Sequence, residues 1–134
     1  MKFEEIEHTA DRALRIYGRD LEDLFGNAAE GLAALMLPPD GGASEGVARS
    51  VELEAIDAES LLVAWLSELA FWAETESLVF RRFDFTELSP TRLRAVAHGG
   101  PVEALEKHVK AVTFHELAIR PVPQGLAATV VFDV

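Results

Sequence analysis

The apolar residues of one segment near the start of the chain recur with the period of an α-helix. Asp20 is a good N-cap, and Asp23 lies where the positive end of the helix dipole favours a carboxylate. Two prolines, Pro38 and Pro39, end the segment. The periodic apolar positions are Leu21, Leu24, Phe25, Ala28, Leu32, Leu35 and Met36. The pattern predicts an amphipathic helix that begins after Asp20.

A second helix is predicted after Asp57, and it runs to about Ser77. Its polar side carries Glu59, Ser67, Glu68, Glu74 and Glu76. Its apolar stripe is wide and consists of Leu61, Leu62, Trp65, Leu66, Leu69, Trp72 and Ala73. A stripe of this width is typical of a helix that lies on a sheet.

The other segments alternate between apolar and polar residues, as β-strands do. The predicted strands are Phe3–Glu7, Arg12–Gly18, Arg49–Ala55, Val79–Leu88, Thr91–Ala97, Ala111–Arg120 and Gly125–Phe132. Short turns at Ser89-Pro90 and Pro121–Gly125 favour antiparallel pairing. We therefore expect one α+β domain over residues 1–134, with a mostly antiparallel β-sheet system of about six to seven strands and two main α-helices packed on it.

Three local patterns leave the structure less defined. The sequence His98-Gly-Gly100 is typical of a turn, and residues 99–109 fit either a loop or one short helix. In the strand predicted at Ala111–Arg120, the apolar positions change parity between Phe114 and Leu117. A β-bulge near His115-Glu116 would account for this change.

Charge and composition limit the partners and the location. The chain has 23 acidic and 12 basic residues and a formal net charge of −11. Such a surface repels phosphate backbones, so we expect no direct tight nucleic-acid binding and favour cations or basic protein surfaces instead. There is no cysteine, and the longest apolar run, Leu61 to Leu66, is too short to cross a bilayer. We expect a cytoplasmic protein that does not bind membranes.

Three carboxylates could meet at one end of the sheet. Asp11 lies between two predicted strands, Asp133 is the penultimate residue, and Val134 carries the terminal carboxylate. If the strand beside Asp11 and the last strand are neighbours, mutual repulsion favours either a bound cation or the uptake of protons. Oxygen donors of this kind suit calcium, magnesium or manganese. On spacing alone, however, the preferred interpretation is an ordinary Asp in a turn and a solvated chain end.

A second polar group lies in the stretch Lys110 to Leu117. Thr113 and His115 share one face, with Lys110 close by, but a histidine bonded to a backbone carbonyl explains the pattern equally well. The chain has neither the glycine-rich loop of a phosphate-binding site nor the setting of a nucleophilic serine. Covalent catalysis by serine or cysteine therefore has no support.

Taken together, the motifs resemble those of the archease family, small accessory proteins of RNA ligation. The likeness covers nearly the whole chain. It is carried in order by His8-Thr-Ala-Asp11, Asp20-Leu-Glu-Asp-Leu-Phe25, Leu61-Leu-Val-Ala-Trp-Leu-Ser-Glu-Leu69, Leu78-Val-Phe80, Lys110-Ala-Val-Thr-Phe-His115 and Phe132-Asp-Val134.

This resemblance implies a function that the composition does not. Archease assists the RtcB-type RNA ligase of tRNA splicing and RNA repair: it promotes guanylation of the ligase and hence multiple turnover, without being the catalyst. The resemblance also implies a divalent metal, calcium before magnesium or manganese, with Asp11, Asp133 and Val134 as ligands. Lys110 is implied as a further functional residue, with His8 and His115 in support.

Two other functions fit the same residues. A metal-dependent hydrolase would use the same carboxylate site with an open coordination position and a substrate cleft. A plain interaction module would bind a basic partner through its acidic face without a metal.

Overall fold

The computed structural model describes residues 1–7, 11–39, 41 and 44–134. It contains eight strands and two helices among these residues. The strands are β1 (Phe3–Glu7), β2 (Arg12–Gly18), β3 (Val47–Glu54), β4 (Leu78–Ser89), β5 (Arg92–Pro101), β6 (Ala111–Thr113), β7 (Arg120–Val122) and β8 (Gly125–Asp133), and the helices are α1 (Leu21–Met36) and α2 (Ala58–Glu76). The predicted strands at residues 3–7 and 12–18 are confirmed with their boundaries.

The strands form two antiparallel sheets. The larger sheet has the order β1-β2-β8-β6. Strand β7 also pairs with β8, at residues 125–127, whereas β6 pairs with residues 131–133. The smaller sheet has the order β3-β5-β4. The predicted α+β class with antiparallel strands is therefore confirmed.

The helix boundaries follow from their caps. Asp20 accepts a hydrogen bond from the Asp23 amide at 2.8 Å, and Asp57 accepts one from the Ser60 amide at 2.7 Å. Each carboxylate satisfies a backbone N–H that has no partner within its helix. At the other end of α2, Ser77 has the left-handed φ of 54° and caps the last turn. Both predicted helices are confirmed.

The helices contact both sheets, which explains why their apolar stripes are so wide. Helix α1 packs against β2 of the larger sheet and β4 of the smaller one, and α2 packs against β6 as well as β4. Trp65 of α2 is fully buried, and its indole Nε1 donates to the Phe25 carbonyl oxygen of α1 at 3.0 Å. Its ring lies 5.4 Å from those of Phe83 and Phe85 in β4. The core is therefore one layer of helices shared by two sheets.

The prediction of one continuous strand at residues 111–120 is wrong. The chain pairs with β8 as β6, leaves the sheet, and pairs with it again as β7. The predicted bulge is instead a turn, in which Glu116 has a φ of 51° and the Leu117 amide donates to the Phe114 carbonyl oxygen at 3.0 Å. The Ile119 amide then donates to Glu59 Oε2 of α2 at 2.9 Å. This bond to the first turn of α2 holds the segment away from the sheet.

The turn predicted at residues 98–100 is also wrong, because these residues lie inside β5. At Gly99 and Gly100 the backbone packs closely against neighbouring segments. A Cβ on Gly99 would collide with the Val79 carbonyl oxygen, and one on Gly100 with that of Ser44. Residues 102–110, all of them described, contain no helix. Two of their amides bond to the ends of the helices instead: Val102 donates to the Ser77 carbonyl oxygen at 2.9 Å and Glu106 to that of Met36 at 2.7 Å.

Candidate functional site at the Asp11 and Asp133 end of the larger sheet

The pairing of β2 with β8 brings the two predicted aspartates together. These strands are antiparallel, and the last pair of their ladder joins Arg12 to Phe132. Continuing the register by one residue sets Asp11 across from Asp133. Phe132 is fully buried against the helices, so the alternation along β8 directs Asp133 to the opposite, outer face of the sheet. Asp133 is exposed there.

A third strand brings Lys110 to the same end. Ala111 of β6 pairs with Asp133, and the Lys110 amide donates to the Asp133 carbonyl oxygen at 2.7 Å. Val134 follows directly, and its half-buried side chain packs against the core. This contact fixes the position of the residue that carries the terminal carboxylate. Four of the six predicted site residues thus lie at one end of β2, β8 and β6.

Arg12 is a cation beside these carboxylates that sequence reasoning missed. Its Nη1 donates to the Asp11 carbonyl oxygen at 3.5 Å. Its Nε lies 3.2 Å from Glu5 Oε1 of β1, although the pair lacks the alignment of a hydrogen bond. Arg12 shares the face of Phe132, opposite to Asp133, so it supports the backbone of this end from the helix side.

The donors at this end suit a hard divalent cation. Asp11 and Asp133 supply carboxylate oxygens from two neighbouring strands, and such oxygens are the ligands that calcium and magnesium prefer. Within the described ranges, no three His, Asp or Glu side chains gather into a metal-binding group. The expected ligand set is different in kind, since it combines two side chains with the main-chain carboxylate of Val134. The residues therefore fit the implied metal.

Of the two predicted histidines, only His115 can be placed, and it stands apart from this group. His8 lies outside the described residues. His115 is exposed at the turn after β6, where its amide donates to Thr113 Oγ1 at 3.3 Å and its Nε2 lies 4.0 Å from Glu116 Oε2. It borders a groove of about 1060 Å³ on the outer face of the larger sheet, whose floor includes Ala13 and Val131. The structure thus places His115 on the same outer face as Asp133, beside a groove that neither aspartate lines.

A second groove adjoins Lys110 and was not predicted. It has a volume of about 510 Å³, lies between α2 and residues 108–112, and is lined by Phe71 and Lys110 among others. His108 Nδ1 meets Glu74 Oε1 of α2 at 2.9 Å along its border. The signal for Phe71 was in the sequence: it lies three residues after Glu68 and three before Glu74, on the polar side of the helix.

The fold and this end of the sheet define a small α+β protein in which carboxylates and a lysine from distant parts of the chain meet at one sheet end. Residues 3–134 match the archease protein family (MTH1598/TM1083). The chain is 38% identical to protein archease of Methanosarcina acetivorans, with 99% of this chain and 96% of the relative covered. It is 37% identical to protein archease of Pyrococcus abyssi, with 92% of each chain covered. The chain belongs to the archease family.

Solved structures agree with this assignment. The solution structure of protein 1598 of Methanobacterium thermoautotrophicum superposes with a TM-score of 0.73 at 34% identity, over 98% of each chain. The crystal structure of an archease from Thermotoga maritima, described as a possible chaperone, superposes with a TM-score of 0.70 at 20% identity, over 98% of this chain and 96% of that one. The latter likeness concerns the fold alone. No helix in the described part of the chain is both long and apolar enough to cross a membrane.

Proposed function

We propose that this protein is an accessory activator of an RNA ligase of the RtcB type, which promotes guanylation of the ligase and its multiple turnover in cytoplasmic tRNA splicing and RNA repair. The observation that carries the proposal is the meeting of Asp11, Asp133 and Lys110 at one sheet end in a chain of the archease family. The group that becomes guanylated belongs to the ligase, so this protein assists the reaction without catalysing it. Its net charge of −11 suits a basic protein partner and disfavours direct tight binding of RNA.

A divalent metal, calcium before magnesium or manganese, is part of this proposal. Asp11, Asp133 and the main-chain carboxylate of Val134 would hold it. When bound, the cation supplies positive charge that can screen a nucleotide phosphate. The carboxylates in turn repel one another less once a cation lies among them.

Lys110 is the cation that the protein itself can offer to the partner or its nucleotide. Its side chain is exposed. Its amide donates to the Asp133 carbonyl oxygen, which holds the Lys110 backbone beside one of the proposed metal ligands. His115 and His8 are the supporting candidates of the proposal.

The test is a ligation assay in which the RtcB-type ligase is limiting and the guanylated ligase is quantified. Addition of this protein should raise both guanylation and the number of turnovers. Asp11→Asn and Asp133→Asn should remove most of the increase, because each loses a proposed ligand while keeping nearly the same volume. Asp84→Asn is the matched control, since Asp84 is an exposed strand residue of the smaller sheet. Unchanged guanylation with the unmodified protein would refute the proposed function.

Calorimetry with calcium, magnesium and manganese tests the metal separately. The unmodified protein should bind one ion, and both asparagine variants should bind it much more weakly. A short extension after Val134 should weaken binding too, because it converts the terminal carboxylate into an amide carbonyl. Activation of the ligase without any metal binding would leave the protein an activator and remove the metal from the proposal. Hydrolysis of a nucleotide by the protein alone, abolished by a chelator, would favour the hydrolase instead.

A further inference from the structure

Helix α2 presents an aromatic side chain on its solvent face. Phe71 is 59% exposed, although most large apolar residues of the helix are buried. Glu68 and Glu74 lie one helical turn before and after it, so the ring is framed by carboxylates. Aromatic side chains in such positions are the usual anchors of protein interfaces.

This aromatic residue adjoins the candidate site. Phe71, Lys110 and Ala111 line one groove, and the Lys110 amide is bonded to Asp133. A second aromatic residue, Phe114, is 58% exposed and directly follows β6. The exposed rings therefore lie along α2 and the edge strand β6, next to the carboxylate end, on a surface that we call the α2–β6 surface (Glu68, Phe71, Glu74 and residues 108–114).

We propose that the α2–β6 surface docks on a basic protein surface that offers an apolar pocket to Phe71. This inference rests on the proposed function, in which that partner is the RtcB-type ligase. The charges select the partner: Glu68 and Glu74 flank Phe71 in a chain with a net charge of −11, and they complement arginine or lysine side chains around a pocket. Docking through Phe71 would bring Lys110, whose amide is bonded to Asp133, against the partner.

The same charges argue against other occupants. A phosphate backbone would be repelled by the carboxylates on either side of Phe71. A second copy of this chain would bring like charges together, since each copy carries a net charge of −11. A basic protein surface with an apolar pocket can both bury the Phe71 ring and pair with the carboxylates.

The experiment measures the affinity of the purified ligase for labelled protein by fluorescence anisotropy, together with multiple-turnover ligation. Phe71→Ala should weaken binding by about 30-fold, as removal of an aromatic hot spot does. Saturating amounts of this variant should still restore full turnover, because the carboxylates and Lys110 are intact. Ile56→Ala is the matched control: Ile56 is 88% exposed, lies before α2, and should bind as the unmodified protein does.

The outcomes separate the two proposals. If the unmodified protein activates the ligase and Phe71→Ala binds with unchanged affinity, the docking inference is overturned and the proposed function stands. If the unmodified protein neither binds nor activates the ligase, both are overturned. Phe114→Ala is the second variant, expected to weaken binding less, since Phe114 follows β6 and is not among the residues that line the groove. Thermal melting of each variant confirms that the fold is kept.

Discussion

Gly99 provides the sharpest test of how the smaller sheet is packed. It lies in β5 between Val47 of β3 and Phe80 of β4. A Cβ at this position would lie 2.6 Å from Phe80 Cα and closer still to the Val79 carbonyl oxygen. Carbon atoms in contact are normally about 3.5–4.0 Å apart, so the new methyl group would be about 1 Å too close to backbone atoms of a paired strand. Those atoms cannot move without breaking the ladder.

Gly99→Ala should therefore destabilise the fold by at least the usual cost of overpacking, about 2 kcal/mol. An unfolding entropy of about 2.1 cal/mol/K per residue over 134 residues makes 1 kcal/mol equivalent to about 3.5 °C, so the melting temperature should fall by about 7 °C. Urea denaturation followed by tryptophan fluorescence measures the free energy of unfolding directly, because Trp65 and Trp72 are both buried.

Gly26→Ala is the matched control for this prediction. Gly26 lies within α1, and a Cβ there would be 3.7 Å from Phe85 Cε2, an ordinary contact. The substitution should leave the protein as stable as before or more stable by up to about 1 kcal/mol, because alanine is the better helix former. A Gly99→Ala protein that unfolds at the same urea concentration as the unmodified one would refute the close packing of β5 against β4.

Two further predictions concern the core and the acid limb of stability. Trp65→Phe should destabilise the protein by about 1–3 kcal/mol in urea denaturation, because it leaves the buried Phe25 carbonyl oxygen without its indole donor; a change below about 0.5 kcal/mol would contradict it. The bidentate bond from Arg49, with N–O distances of 2.6 and 2.7 Å, holds the pKa of Glu76 below its ordinary value of 4.5. Because the folded-state pKa lies below the unfolded one, this bond stabilises the fold above about pH 4.5 and the stabilisation is lost as the pH falls through the folded-state pKa. Glu76→Gln should flatten the fall in melting temperature below pH 5. A fall as steep as that of the unmodified protein would exclude this contribution.

The sequence predicts the helices well because their ends are determined locally. Asp20 and Asp57 cap helices through bonds to amides three residues away, and such contacts depend on little else. The broad stripe of α2 correctly predicted packing against a sheet. It could not reveal that the helices serve two sheets, because that depends on which strands pair across the whole chain.

The errors lie where distant contacts override local patterns. The alternation of residues 111–120 is that of a strand, yet Glu59 of α2 bonds the Ile119 amide and the chain leaves the sheet. The pair Gly99-Gly100 resembles a turn, yet it allows two backbones to approach inside a sheet. Both outcomes depend on residues that are far away in sequence and that no local pattern contains.

The candidate site illustrates the same division. Asp11 and Asp133 could be selected by residue type, but their meeting depends on the register of β2 and β8. A slip of one residue would turn Asp133 away from the outer face. Phe71 was missed for a different reason: its place between Glu68 and Glu74 puts it on the polar side of α2, and helix periodicity alone gives no meaning to an aromatic residue there.

The pairing of β2 with β8 also has a kinetic consequence. Arg12 pairs with Phe132, which lies 120 residues further along the chain, so closing this ladder costs more loop entropy than any hairpin in the fold. The helices and the smaller sheet can form from contacts nearer in sequence, whereas the Asp11 and Asp133 end exists only after β8 has docked. Partial detachment of β8 would remove that end while much of the fold persists. Hydrogen exchange of the β8 amides would therefore report how readily the Asp11 and Asp133 end opens.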